Sequence, residues 1–490
     1  MAEPAFDTAG LFARLGGAPR RLTSDSRDVR AGDAFAAWPG SRVDGRAFIP
    51  DAIARGAGAV LWEARNFRWN GEWRVANAGV DRLAARLGFI ADEVYGRPSR
   101  ELWMVGVTGT NGKTTTSQWI AQALDAAGRR CGVIGTLGTG FRGELEPASN
   151  TTPDAAIFHE TLARFRDRGA KAVAMEVSSI GLDQGRVNGA TFDVAVFTNL
   201  TRDHLDYHGT LSDYGAAKAK LFSWPGLACS VINADDPFGQ RLIDEVRGRG
   251  GRALSYGLAN AEVAATGIAA GPRGYSLGVA TPWGRGTVDT GVVGAFNVSN
   301  LLATLGALLA SDVGLDDALD ALARLTPPPG RMERHGGDGR PMVVIDYAHT
   351  PDALDKVLAA LRPVVAPGRQ LVCVFGCGGD RDPGKRPQMG RIAGDRADRV
   401  VVTSDNPRLE DPGTIAGAIA KGLADAGHRN WSIELDRDAA IRGAVHGARR
   451  GDVVLVAGKG HEDYQDAGGE RRAFSDARVA DAALAGWSDA

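Results

Sequence analysis

Cysteine is scarce in this sequence: four residues, at positions 131, 229, 373 and 377, in a chain of 490. So few exclude a disulfide framework. Cys373 and Cys377 bracket Val-Phe-Gly at the end of an apolar run. Neither a second cysteine pair nor a nearby histidine completes a zinc set, so buried structural thiols are expected. No apolar run approaches the ~20 residues that a membrane helix needs. Met1-Ala2-Glu3-Pro4 has neither the basic nor the apolar region of a secretory signal. The expectation is a cytoplasmic protein without membrane insertion. No charge of one sign dominates, because 57 Lys plus Arg stand against 59 Asp plus Glu. That balance excludes a globally basic nucleic-acid binder, and no nucleic-acid motif is present. The chain also lacks any Asn-Lys pair, which argues against a guanine-nucleotide switch carrying N-K-x-D.

What is present is a soluble-type composition, 44% apolar and 24% charged. At ~100–200 residues per domain the length suggests roughly three domains. Short apolar, β-branched runs alternate with amphipathic stretches: Leu102–Val107, Ala172–Val177, Val194–Phe197, Met342–Ile345, Gln370–Phe375, Arg399–Thr403 and Val453–Ala457. Between them Thr115–Ala127 reads as a helix ending at Gly128. This alternation predicts α/β architecture with parallel sheets. Gly96-Arg97-Pro98-Ser99-Arg100 is a turn-rich break, and Thr326-Pro327-Pro328-Pro329-Gly330-Arg331 can be neither helix nor central strand. The predicted division is therefore 1–99, 100–329 and 330–490, with the proline run as a stiff hinge.

The most informative segment runs from Leu102 through Gly109-Thr110-Asn111-Gly112-Lys113-Thr114-Thr115. An apolar strand, a glycine-rich turn and a helix in that order present backbone N–H groups and a helix N-terminus to a phosphate. Lys113 is expected at the β/γ-phosphates and the Thr114 hydroxyl on Mg²⁺. The common phosphate-loop pattern wants glycine at 107, where Val107 stands. Glu176 closes a second apolar run, and a carboxylate at a strand's C-terminal end faces the ligand crevice of an α/β sheet. It is a candidate Mg²⁺ ligand. His204 and His208 have i, i+4 spacing, but Leu205 occupies the place of the zincin glutamate, so a zinc hydrolase is not expected.

The compact loop resembles that of the Mur ligases and folylpolyglutamate synthetases. Asn199-Leu-Thr-Arg-Asp203-His204-Leu-Asp206, Ala216-Ala-Lys218 and Phe296-Asn297-Val-Ser-Asn300 are similar to further Mur ligase stretches. The resemblance implies a three-domain architecture with a central P-loop parallel-sheet ATPase domain and a Rossmann-like C-terminal domain. It implies ATP as co-substrate and two Mg²⁺ ions, with His204 on the second. It also implies a CO₂-derived carbamate on Lys218, which suits lysine because burial readily shifts its pKa. Asn297 is expected at the adenine and Arg331 at ATP. Asn300, ending a turn before a helix, could equally be only a cap.

The flanks resemble the branch of the family that adds the third residue of the peptidoglycan stem peptide. Thr23-Ser24-Asp25-Ser26-Arg27 and Asn150-Thr151-Thr152-Pro153 match its uridine-nucleotide substrate segments, as do Ser178, Gln184 and Arg186. Ile180 stands where that branch has histidine. Asp405-Asn406-Pro407-Arg408 is the form of the enzymes that add meso-diaminopimelate. A guanidinium can grip that amino acid's distal carboxylate and would repel the distal ammonium of lysine. The resemblance places Arg381, Asp405, Asn406, Pro407, Arg408, Gly458 and Glu462 in the amino-acid site. The implied reaction joins meso-diaminopimelate to UDP-N-acetylmuramoyl-L-alanyl-D-glutamate through an acyl-phosphate. The expected catalytic set is Lys113, Glu176, His204 and Lys218, in a monomer.

Overall fold

The computed structural model describes residues 6–40, 43–148, 150–271, 274–337 and 339–489. The N-terminal residues read above for a signal, Met1–Pro4, lie outside them. The chain divides into two compact units. The first gathers Met1–Ala264, Ala280–Gly284 and Asn300–Ala321; the second gathers Ala265–Val279, Arg285–Ser299 and Leu322–Ala490.

The first unit opens with β1 (Leu22–Thr23), β2 (Ala34–Ala37), β3 (Ala59–Glu63) and β4 (Ala76–Val80), parallel neighbours in that order. It continues with β5 (Trp103–Thr108), β6 (Cys131–Gly135), β7 (Gly138–Phe141), β8 (Glu144–Glu146), β9 (Ala172–Glu176), β10 (Val194–Phe197), β11 (Cys229–Asn233) and β12 (Ala253–Gly257). Their order across the sheet is β12-β11-β10-β5-β9-β6-β7-β8. Strands β12 through β6 run parallel. Every residue of β9, β10 and β11 is buried, the continuous apolar pattern of strands covered on both faces.

The chain then forms β13 (Val263–Gly271), β14 (Gly274–Thr281) and β15 (Gly284–Thr290). In the second unit follow β16 (Glu333–Gly336), β17 (Met342–Asp346), β18 (Leu371–Phe375), β19 (Arg399–Val402), β20 (Trp431–Ile433) and β21 (Val453–Ala457). Their order is β16-β17-β21-β18-β19-β20. All pairs are parallel except the edge pair β16–β17. A hairpin of β22 (Tyr464–Ala467) and β23 (Glu470–Ala473) stands beside it in sequence.

The apolar runs of the sequence all fall on strands, within a residue of the predicted limits. The helix expected from Thr115 begins two residues earlier, at Lys113, and ends at Ala126. Gly112 adopts φ 85°, so the left-handed turn finishes there and Lys113 is free to start the first helical turn. Asp154 caps the helix Ala155–Asp167 by accepting from the N–H groups of Ala156 and Ile157. Pro98–Arg100 forms one short helical turn at the predicted break, and Leu325–Pro328 carries no regular structure. All four cysteines are buried and unpaired. No helix is long and apolar enough to cross a membrane among the described residues.

Candidate active site

Strands β5, β9 and β10 are adjacent in the sheet, so the segments leaving their C-terminal ends meet. After β5 the chain turns through Gly109 at φ 147°. A Cβ there would lie 1.9 Å from Thr198 Oγ1, at the end of β10. Only glycine permits this approach. The turn is laced to the segment after β10. Thr198 Oγ1 donates to the Asn111 carbonyl (2.6 Å), Asn111 N–H donates to Asn199 Oδ1 (3.0 Å), and Thr110 N–H donates to the Asn199 carbonyl (2.8 Å). Lys113 Nζ donates to the carbonyls of Gly109 (2.9 Å) and Thr110 (2.8 Å). Thr115 is buried in the first helical turn behind it.

Glu176, at the end of β9, is 1% exposed. Thr114 Oγ1 donates to its Oε2 at 2.9 Å. Thr136 donates its N–H to Oε1 (2.7 Å) and its hydroxyl to Oε2 (3.2 Å). A Cβ on Gly135 would lie 2.3 Å from Glu176 Oε1, so the end of β6 must be bare for the carboxylate to fit. Thr136 Oγ1 also meets Thr151 Oγ1 at 3.0 Å. That hydroxyl pair joins the carboxylate to the Asn150–Thr152 segment. Sequence reasoning missed Thr136; the signal was a hydroxyl directly after the short buried run Cys131–Gly135.

Thr152 Oγ1 donates to the Glu176 carbonyl (2.9 Å) and to Ser178 Oγ (3.1 Å). Ser178 Oγ in turn accepts from Gly181 N–H and caps the helix Ser179–Asp183. Arg186 Nη1 donates to the Thr152 carbonyl (2.8 Å), and its Nε and Nη2 reach Gln184 Oε1 (3.0 and 2.8 Å). The structure therefore brings Thr151, Thr152, Ser178, Gln184 and Arg186 into one bonded group with Glu176. Asn150 is exposed at the start of that segment. Ser26 is buried in the turn Ser26–Asp28 after β1. Ile180 lies in the capped helix, between Ser179 and Gly181.

Lys218 is fully buried at 1% exposure, and its Nζ donates to the Gly109 carbonyl at 2.8 Å. Its Nζ also lies 4.1 Å from the centre of the Tyr214 ring. Burial drives the Lys218 pKa well below the usual lysine value, and the charge of Lys113 pushes it further down, with Asp203 opposing. The same burial lifts the Tyr214 phenol to about 12. His204 sits at φ 50°, exposed, with Nε2 3.6 Å from Asp203 Oδ2 and its ring 6.1 Å from that of Tyr214. His208 turns instead to Ser179 Oγ at 2.9 Å. Among the described residues no group of three His, Cys, Asp or Glu side chains stands in a metal-holding array. The hard oxygens that could hold a divalent cation are the Thr114 hydroxyl and the Glu176 carboxylate.

The helix Ala295–Ala310 corrects one expectation. It starts ahead of Asn300, so Asn300 is no cap. A Cβ on Gly112 would lie 2.5 Å from Asn300 Oδ1, and Thr116 Oγ1 approaches that oxygen at 3.5 Å.

In the second unit Asn297 is buried, with Nδ2 donating to the Val293 carbonyl at 2.8 Å. The Arg331 guanidinium lies 4.7 Å from the Tyr347 ring centre. Asp346 is buried at the end of β17 and accepts from Met332 N–H at 2.8 Å. Burial pushes its carboxyl up to about 6.

A second cluster forms where β18, β19 and β21 end. Asp405 Oδ1 accepts from Asn406 N–H (2.7 Å), while Oδ2 is buried without a hydrogen-bond partner. Gly458 adopts φ 117°, and a Cβ on it would lie 2.4 Å from that oxygen. Asn406 Nδ2 donates to Glu462 Oε2 at 2.8 Å. Arg408, at φ 53° after Pro407, donates from Nη1 to the Gly379 carbonyl at 2.6 Å. Arg381 is exposed on the same loop as Gly379. This cluster gathers Asp405, Asn406, Glu462 and Gly458 closely, with Arg408 anchored to the neighbouring loop.

A glycine-rich strand-to-helix turn, a buried carboxylate, a buried lysine of lowered pKa and a second cluster of acidic and amide side chains are the parts an ATP-using ligase would need. The Mur ligase middle-domain model matches residues 107–308, the Mur ligase glutamate ligase domain model residues 330–460, and the Mur ligase catalytic-domain model residues 20–95. The chain belongs to the Mur ligase family. A relative from Chromobacterium violaceum, named UDP-N-acetylmuramoyl-L-alanyl-D-glutamate--2,6-diaminopimelate ligase, is 53% identical over 487 residues. That match covers 99% of this chain and 98% of the relative. A relative of the same name from Pseudomonas aeruginosa is 53% identical over 473 residues, 96% of this chain and 95% of its own. A solved structure of a ligase of that name is 37% identical, with TM-score 0.71 over 95% of each chain. The fold is shared with the MurF ligase of Thermotoga maritima solved with ADP. That chain is 21% identical, with TM-score 0.63, over 90% of this chain and 94% of its own.

Proposed function

We propose that this chain is an ATP-dependent amide ligase. It joins meso-2,6-diaminopimelate to the D-glutamate of UDP-N-acetylmuramoyl-L-alanyl-D-glutamate, releasing ADP and phosphate, in cytoplasmic peptidoglycan precursor synthesis. The observation that carries this reading is the bonded group of Thr114, Glu176 and Thr152 beside a phosphate loop whose Gly109 carbonyl holds a buried lysine. The relatives named for this reaction, at 53% identity over nearly the whole chain, support it.

The residues divide the work as follows. The N–H groups of Gly109, Thr110, Asn111 and Gly112 and the helix N-terminus at Lys113, Thr114 and Thr115 cradle the ATP phosphates. Lys113 leaves its two loop carbonyls for the phosphoryl oxygens. Asn297 meets the adenine and Arg331 the bound nucleotide. The uridine-nucleotide substrate lies along Ser26, Asn150, Thr151, Thr152, Ser178, Gln184 and Arg186. Its D-glutamate side-chain carboxylate attacks the γ-phosphorus, and Lys113 neutralises the charge that builds on the transferred group. The free amine of diaminopimelate then attacks the acyl carbon, and phosphate leaves from the tetrahedral intermediate as the amide forms.

Thr114 and Glu176 fit Mg²⁺, with His204 and Lys218 toward a second ion. When bound, Mg²⁺ supplies further neutralisation of phosphate charge. Lys218 fits CO₂ uptake, because an uncharged amine can add to CO₂ and lose a proton, leaving a carbamate anion. In the amino-acid site Asp405, Asn406, Gly458 and Glu462 take one zwitterionic end. Arg381, Pro407 and Arg408 face the other, where the guanidinium of Arg408 grips the distal carboxylate. The working division is 1–99 for the uridine end, 100–329 for ATP and 330–490 for the amino acid, within a monomer.

The test is trapping of the acyl-phosphate. With ATP, Mg²⁺ and the UDP-dipeptide but no amino acid, hydroxylamine should yield ADP and a hydroxamate of the nucleotide substrate. Absence of both overturns the reading.

A further inference from the structure

Lys459 is 0% exposed, and its ammonium is spent entirely inside the protein. Nζ donates to Asn406 Oδ1 at 2.9 Å and to Glu462 Oε2 at 2.8 Å. It also lies 5.3 Å from the centre of the Tyr464 ring. Asn406 Nδ2 reaches the same Glu462 oxygen at 2.8 Å, and Asp466 N–H donates to Asn406 Oδ1 at 2.9 Å. Lysine, amide and carboxylate thus close a three-membered ring. The ring fixes which way the Asn406 amide faces and commits Glu462 Oε2, leaving Oε1 for another partner. The Glu462 side chain is 17% exposed, so the carboxylate is reached from outside and the ammonium behind it is not. A ligand cannot touch Lys459.

The charge arithmetic gives this arrangement a purpose. Asp405 Oδ2 is already a buried acceptor without a partner. Glu462 places a second carboxylate in the same cluster, and the buried Lys459 nitrogen, 2.8 Å from Glu462 Oε2, sets a positive charge against it while Oε1 faces outward.

Resting on the amino-acid site proposed above, we propose that Lys459 is a positioning residue for the incoming diamino acid: its ammonium holds Asn406 and Glu462 in the orientation that receives the substrate's amino-acid end. Its side-chain nitrogen meets Asn406, Glu462 and the Tyr464 ring, all within the proposed amino-acid site. Its loss therefore acts on one substrate alone.

The experiment uses the full chain and steady-state kinetics with each of the three substrates varied in turn. Lys459→Met should raise the KM for meso-diaminopimelate at least tenfold and leave the KM values for ATP and UDP-dipeptide within twofold. Hydroxylamine trapping of the acyl-phosphate, which needs no amino acid, should proceed at the unsubstituted rate. Lys459→Gln keeps N–H donors but no charge and serves if Lys459→Met does not fold; it too should raise the diaminopimelate KM selectively. A diaminopimelate KM within twofold of the unsubstituted value, or equal increases for all three substrates, overturns the proposal. If the unsubstituted protein traps acyl-phosphate but accepts no diaminopimelate, the amino-acid site fails and this proposal with it. If it traps none, the ligase reading itself has failed.

Discussion

Lys113 and Lys218 share one acceptor: both side-chain nitrogens donate to the carbonyl oxygen of Gly109, at 2.9 and 2.8 Å. Lys113 is partly buried and, in the proposed reading, leaves its carbonyls for the ATP phosphates. The other is buried and lowered in pKa by that burial and by its neighbour's charge. Lys113→Ala should cut ATP-dependent turnover by about 10³-fold or more. Near-normal phosphate release from the variant would remove the phosphate-loop assignment.

For Lys218 the sign of the shift sets a pH dependence. Its folded-state pKa is depressed below the usual 10.5, so at any given pH a larger share of the side chain is the neutral amine that CO₂ requires than for an exposed lysine. That share shrinks as pH falls. Lys218→Ala should abolish activity that bicarbonate cannot restore. Labelled ¹³CO₂ should give a carbamate resonance in the unsubstituted protein that the variant lacks. A fully active variant would exclude an essential carbamate.

The glycine-rich turn after β5, the place of Glu176 at the end of β9 and the runs that became β5, β9 and β10 were legible because strand, turn and helix follow one another within a few residues. Lys218 was not legible from its own surroundings: a lysine among alanines reads as a solvated helix face, and only family resemblance lifted it. Thr136 and Lys459 escaped for a different reason. Their importance lies in partners 40 and 53 residues away, and no local pattern announces such a contact. The helix was read from Thr115, two residues late, because the left-handed backbone at Gly112 that frees Lys113 to start it is not visible in the sequence.

Arg408 donates to the Gly379 carbonyl and keeps further guanidinium N–H groups for a ligand carboxylate. Arg408→Ala should raise the KM for meso-diaminopimelate about 10- to 100-fold, the worth of a lost charge-assisted bidentate contact. The KM for ATP should stay near its original value. Equal effects on both substrates would count against direct recognition.

Arg437 and Asp476 form a fully buried bidentate pair, Nε to Oδ1 and Nη2 to Oδ2 at 2.7 Å each. The guanidinium also donates to the carbonyls of Ser404 and Ala457. These residues immediately precede Asp405 and Gly458, so the pair fastens both arms of the pocket proposed for the amino acid. Arg437→Met leaves Asp476 buried and unpaired and should cost about 3–5 kcal/mol of stability. Denaturant unfolding measures this; a loss under about 1 kcal/mol would show that the pair does not hold the pocket.

His335 lies 2.7 Å from Asp481 and 3.3 Å from Glu333. Its pKa is raised, first by the nearby Glu333 carboxylate and further by Asp481. A raised folded-state pKa contributes stability that is complete below the unfolded value of 6.5 and is lost as pH rises through the folded value. Because Asp481 is largely exposed, screening limits the contribution to about 0.5–1 kcal/mol. His335→Gln should therefore destabilise the protein at about pH 6 and have little effect at about pH 9.5. A pH-independent difference would contradict the assignment.

The central claim is tested most directly by phosphate release from ATP with UDP-N-acetylmuramoyl-L-alanyl-D-glutamate, supplying meso-diaminopimelate or L-lysine in parallel and identifying the product by mass. The account predicts phosphate release and a new amide with meso-diaminopimelate and neither with L-lysine. Preference for L-lysine would contradict the role given to Arg408, and silence with both would contradict the proposed reaction.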